Sequence, residues 1–155
     1  MKKSAGLLLF RRAPESREVE VFLVHPGGPF FARKDAGYWS IPKGLVESGE
    51  PDLDAARREF TEETSLAIDD AAEFLELGEV RQKGSKLVRA WAFEGDCDLS
   101  AVHSNTFELE WPPRSGRVQS FPEIDRAAWF GIEAARQHMN AEQFAFVERL
   151  LDMVA

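Results

Sequence analysis

Only one cysteine, Cys97, occurs in the chain. An internal disulfide is therefore impossible, a reducing compartment is the expected setting, and Cys97 reads as a small packing residue. Cationic residues are short as well: 19 Lys and Arg face 27 Asp and Glu, a formal net charge of −8. A surface that tracks a nucleic-acid backbone needs clustered cations, so nucleic acid is not an expected partner. A small polyphosphate remains admissible, because bound metal ions would screen the repulsion. Long apolar runs are also missing. Lys2-Lys3 followed by Ala5 to Phe10 superficially looks like a leader, but the run meets Arg11-Arg12 too soon for a secretion signal or a membrane span. A buried strand, a cytoplasmic location and no membrane partner are expected instead. No internal repeat or low-complexity stretch interrupts the chain, and 155 residues suit a single domain, 1–155, with its own core.

What the chain has in abundance is acid, concentrated between residues 44 and 66 (GLVESGEPDLDAARREFTEETSL). Glu59, Glu62 and Glu63 are spaced i, i+3, i+4, which stacks them on one face of a helix. Leu53, Ala56 and Phe60 give that helix an apolar face. Pro51 or Asp52 starts it, and it should end near Thr64. Like charges so placed repel one another. Pairing with Arg57 and Arg58 would relieve part of this; a hard cation such as Mg²⁺, for which carboxylates are natural ligands, would relieve more. The residues alone leave both open.

The rest alternates short strands with breaks. Residues 4 to 11 and 19 to 24 read as a hairpin across the Pro14 turn, and His25 to Gly37 as a loop carrying Phe30 and Phe31. Strands are predicted over Leu75–Val80, Leu87–Phe93 and Thr106–Trp111. Pro112 to Gly116 opens a loop with Arg114 and Arg117. Ile132–His138 reads as a short helix, and Asn140 as the cap of a last helix, with Gln143 at its third position.

The acidic stretch also fits a named pattern. Gly44, Glu50, Arg58, Glu59, Phe60, Glu62, Glu63 and Leu66 occupy their places in the Nudix box, G-x5-E-x7-R-E-U-x-E-E-x-G-U with U apolar. One position departs: Ser65 stands where the box has glycine. The opening strand, the WSIPKG approach at 39–44 and PEIDRAAWF at 122–130 also resemble a Nudix hydrolase. The resemblance implies an α/β fold, an α/β/α sandwich around a mixed sheet. It implies a pyrophosphohydrolase dependent on Mg²⁺ or Mn²⁺ that cleaves a nucleoside diphosphate linked to another group, by attack of metal-bound water on phosphorus. Glu59, Glu62 and Glu63 would be metal ligands, with Gly44 adding its carbonyl. Arg58 would orient the glutamates, supported by Glu50, and Glu123 is the candidate base. Lys43, Arg114 and Arg117 are candidates for phosphate contacts and Tyr38 for stacking a base.

WSIPKG resembles the approach in hydrolases of dinucleoside polyphosphates and of diphosphoinositol polyphosphates. The tyrosine common downstream of the box in the former is absent, as is the proline near Arg81 and Gln82 typical of ADP-ribose hydrolases. Dinucleoside polyphosphates or NTPs are the expected substrates, ahead of diphosphoinositol polyphosphates and ADP-ribose. The competing reading is a Nudix module that senses a nucleotide without cleaving it, against which the intact REFTEE speaks. Monomer and homodimer are both compatible with the sequence.

Overall fold

A computed structural model describes residues 2–154. Its centre is β1 (Lys3–Arg12), whose two edges are used differently. One edge pairs in parallel with β5 (Lys86–Glu94) from Lys3 to Phe10. The other is shared by two antiparallel partners. Residues Ser4 to Gly6 pair with β3 (Lys43–Leu45), and Phe10 to Arg12 pair with β2 (Val19–Pro26). The two partners part near Leu7, whose N–H donates to the Pro42 carbonyl at 3.2 Å. With β4 (Leu75–Gln82) beyond β5 and β8 (Ile124–Gly131) beyond β2, the order is β4-β5-β1-β2-β8.

Strand alternation sends the apolar side chains of β1 and β2 to both faces. Leu7, Leu9, Phe22 and Val24 pack against α1 (Asp52–Thr64) through Ala55, Ala56 and Phe60. Leu8, Phe10, Val21 and Leu23 pack on the other side with α2 (Ile132–His138) and α3 (Phe144–Val154). The result is the expected α/β/α sandwich with a mixed sheet. Among the described residues no helix is long and apolar enough to cross a membrane.

The fold departs from the sequence reading at three strands. β3, β7 (Val118–Pro122) and β8 fall where only an approach, a loop and an unassigned segment are expected. β7 pairs with β6 (Thr106–Glu110) in a separate two-stranded hairpin. The last helix begins at Phe144, later than expected, and Asn140 closes the turn before it, its Oδ1 accepting from the Gln143 N–H at 3.1 Å. The Gln143 side chain does not turn back to the cap, however. Buried, it accepts from Ile41 N–H and donates to Gln82.

Phe60 is what seats the acidic helix. It is 1% exposed, with its ring against Phe22 and Phe93 at 6.3 and 5.4 Å between centroids. Phe60→Ala is expected to cost about 3–5 kcal/mol, read as a lower urea midpoint at unchanged m-value.

Candidate active site

The helix carrying the carboxylates is fixed at both ends. At its start Asp52 pairs with Lys3 of β1 at 2.6 Å and Arg89 of β5 at 3.2 Å. At its end Ser65 adopts the left-handed conformation (φ 61°, ψ 13°), and its N–H donates to Thr61 O at 2.8 Å.

Between these anchors Arg58 gathers the acids. Its Nε and Nη2 form a fork on Glu50, at 2.9 and 3.0 Å, and Nη1 donates to Glu59 at 2.9 Å and to Glu62 at 3.3 Å. Nη2 also donates to the Leu45 carbonyl at 3.1 Å, tying the helix to β3. The Glu50 hydrogen bonds are the main reason the guanidinium is held more firmly charged than usual, and Arg58 in turn holds the Glu50 carboxyl below its ordinary range. Arg57 takes no part: it lies over the Phe74 ring. Of the two arginines on the helix, Arg58 thus supplies the partial neutralisation among the described residues.

Glu59 and Glu63 lie deeper. Burial, above all, raises the Glu59 carboxyl despite Arg58. Burial, followed by the neighbouring Glu59 charge, lifts Glu63 to about 8. Gly44 explains how Glu59 is seated. Its backbone is not in the left-handed region, contrary to the usual reason for such a glycine. A Cβ there would collide with the Glu59 carboxylate, so the missing side chain is the space Glu59 fills. Gly44→Ala is expected to displace Glu59, costing about 1–3 kcal/mol as overpacking does. A thermal melt and turnover measured on the same sample would check both consequences.

The β3 register corrects the expected carbonyl. Val46 N–H donates to Lys3 O and Leu7 N–H to Pro42 O, so the intervening Ala5–Gly44 pair is also hydrogen-bonded, and the Gly44 carbonyl faces β1. Lys43, in the alternate pair, turns its main chain outward, and its N–H donates to Glu63 at 3.3 Å. The carbonyl facing the carboxylates is therefore that of Lys43. The pleat places the Lys43 side chain with Gly6, on the sheet face opposite α1. There burial lowers its ammonium pKa, although Glu63 and Glu59 pull the other way.

The Nudix domain profile matches residues 2–150. The chain belongs to the Nudix family. Solved structures share its fold at low identity. A C. elegans Ap4A hydrolase in a binary complex is 20% identical over 97% of both chains, with a TM-score of 0.68. The NUDIX domain of Shewanella oneidensis NrtR complexed with ADP ribose is 13% identical, covering 99% of this chain and 88% of that one, with a TM-score of 0.64. The C-terminal domain of mouse MUTYH, solved with human PCNA, is 14% identical over 99% and 90%, with a TM-score of 0.63.

Of the other predicted site residues of this Nudix chain, one reaches the carboxylates. Glu123 lies in the tight turn between β7 and β8, close enough for its charge to help raise Glu59 and Glu63. Its carboxylate enters no ion pair among the described residues. Arg114 and Arg117 stand at the opposite end of the β6–β7 hairpin. Arg117 is six positions from Glu123, about 20 Å along an extended strand. Tyr38 sits on the exposed loop before β3, with Phe31 and Lys34 as its ring neighbours. A residue the sequence reading passed over is Gly27: a Cβ there would strike the Pro122 carbonyl, and its N–H donates to Glu123 O at 2.8 Å. A glycine pair at 27–28 signals a break in the sequence, but its partner across the chain is invisible there.

A cleft of about 560 Å³ lies elsewhere, lined by Leu9, Phe60, Leu66, Phe93 and Cys97 among others. None of Glu59, Glu62, Glu63 and Glu123 lines it, so the chemistry is located by the carboxylates, not by the cavity. Among the described residues no three acids already converge as a finished coordination sphere, because Glu59 and Glu62 lean on Arg58. The donor set nevertheless fits a hard divalent ion. Only oxygens are offered, Glu59 has one oxygen free of Arg58, and the half-buried Glu63 carboxyl, lifted to about 8, would give up its proton to a cation.

Proposed function

We propose that the protein hydrolyses a pyrophosphate bond in a nucleoside diphosphate linked to another group, with dinucleoside polyphosphates or NTPs as substrates and Mg²⁺ or Mn²⁺ as cofactor. The observation that carries this reading is the pair of half-buried glutamates, Glu59 and Glu63, beside an outward-facing main chain at Lys43, with Glu62 on the same helix face. Glu59, Glu62, Glu63 and the Lys43 carbonyl would hold the ion. A bound divalent ion supplies charge neutralisation on the non-bridging phosphate oxygens and polarises the attacking water.

The protein's own groups do the rest. Arg58 holds Glu59 and Glu62 in one orientation while Glu50 braces Arg58 from the other side. Glu123, outside that web, would take the proton released by water. Lys43, whose ammonium feels the Glu63 and Glu59 charges although its side chain leaves on the opposite sheet face, would be the first candidate for balancing phosphate charge.

The fold is shared with a protein named as an Ap4A hydrolase and with one solved with ADP ribose. A panel of diadenosine tetraphosphate, NTPs, ADP-ribose and diphosphoinositol phosphates, incubated with Mg²⁺ or Mn²⁺, tests the reading. Metal-dependent release of mononucleotide from the first two classes is expected. Tight nucleotide binding by calorimetry without product from any of them would establish the sensing module instead.

A further inference from the structure

Ser65, the single departure from the Nudix box, touches more than its own helix. We propose that Ser65 is a positioning residue that holds the Glu123 segment against the carboxylate helix; its catalytic consequence rests on the reading of Glu123 as base. The Ser65 hydroxyl donates to the His103 carbonyl at 2.6 Å. His103 N–H donates back to Thr64 O at 3.0 Å, and Asn105 N–H donates to Glu62 O at 3.3 Å. Residues 103–105 thereby fill carbonyls that the end of a helix leaves open.

The same segment holds the base. Glu123 N–H donates to Asn105 O at 2.9 Å, and Ile124 N–H donates to the Ser104 hydroxyl at 3.0 Å. From the other side Gly27 N–H donates to Glu123 O. A continuous run of hydrogen bonds therefore leads from the C-terminal end of α1, through 103–105, to the backbone of Glu123.

The segment needs such fastening. From Asp98 to Asn105 no side chain is fully buried and only Val102 packs against the core, so hydrogen bonds carry much of its placement. Glycine at position 65 would close the helix without resistance, since only the side chain makes the left-handed conformation unfavourable. Glycine would also remove the hydroxyl. Serine thus accepts local strain and supplies the one side-chain bond between the helix cap and this segment.

Ser65→Gly separates the two effects. The variant is expected to melt no lower than wild type, because strain and hydrogen bond leave together. Amide exchange at Asn105 and Glu123 is expected to quicken about fivefold, the equivalent of one typical hydrogen bond. Turnover of diadenosine tetraphosphate should fall by about the same factor, with KM within about twofold. In a Glu123→Gln background, adding Ser65→Gly should change turnover less than about twofold, because the group being positioned is already gone.

Unchanged exchange at Asn105 and Glu123 in Ser65→Gly overturns the tether. So does wild-type turnover in Ser65→Gly when Glu123→Gln is impaired, and so does full additivity in the double variant. Wild-type turnover in Glu123→Gln, or no cleavage of this substrate by wild type, removes the base reading, and the exchange measurement then decides the tether alone.

Discussion

Glu63→Gln is expected to lower turnover by about 10²-fold or more, the scale of losing one preorganised electrostatic partner, while leaving the chain folded. The amide keeps the shape and can still accept from the Lys43 N–H, so the backbone contact survives. What disappears is a negative charge that a divalent ion would require. Because that charge is costly in the metal-free protein, the same substitution is expected to stabilise it.

The pH window follows from the direction of the shift. The Glu63 carboxyl lies near 8 in the folded chain against an ordinary value of 4.5. Below the lower value it is protonated in both folded and unfolded chains, and its contribution to stability is fully present. Between the two the unfolded chain releases its proton while the folded chain keeps it. Stability is therefore lost as pH rises through this window, by up to about 1.4 kcal/mol per unit, and the loss is complete above the upper value. In chelator, wild type should lose more thermal stability than Glu63→Gln between about pH 5 and 8, and added Mg²⁺ should recover it in wild type alone. Parallel curves for the two proteins would remove Glu63 from this role.

Arg58→Met is expected to damage both stability and turnover although the side chain touches no substrate. It leaves Glu50, Glu59 and Glu62 without their shared partner. Breaking a fully buried ion pair costs about 3–5 kcal/mol; the half-exposed guanidinium here suggests about 2 kcal/mol, read by urea denaturation. Turnover should fall with it, by about 10²-fold, because Glu59 and Glu62 lose their orientation. Arg58→Lys should recover part of the stability and little of the rate, since an ammonium cannot fork onto Glu50 while reaching two further carboxylates. A lysine variant with wild-type turnover would show that charge, and not the fork, is what matters.

Much of this was legible in the chain, for identifiable reasons. The helix bearing Glu59, Glu62 and Glu63 declares itself by spacing, and β1, β2 and β5 by local apolar content. The helix end near Thr64 follows from where the helical pattern stops; the left-handed cap at Ser65 is seen only in the structure. β3 and β8 escape detection because their partners, not their composition, make them strands: β3 has three residues next to Pro42, and β8 carries Asp125 and Arg126. Gly44 was legible as a special position, but its reason, room for a side chain fifteen positions on, is a tertiary fact. Arg114 and Arg117 have the right charge at the wrong end of a hairpin, and sequence reports charge without reporting which end points inward.

That hairpin has a further consequence. Among the described strands β6 and β7 pair only with each other, and their outer end leans on the neighbouring loop through Phe30 and Trp111, whose rings meet edge to face at 5.3 Å. Its inner end, at Pro122 and Glu123, is stitched to Gly27 and Asn105. The outer half of the arm and its anchored inner end are thus held by separate contacts. Evolution, or an engineer, can lengthen or rebuild the outer half of this arm while the acidic helix and Glu123 stay in register.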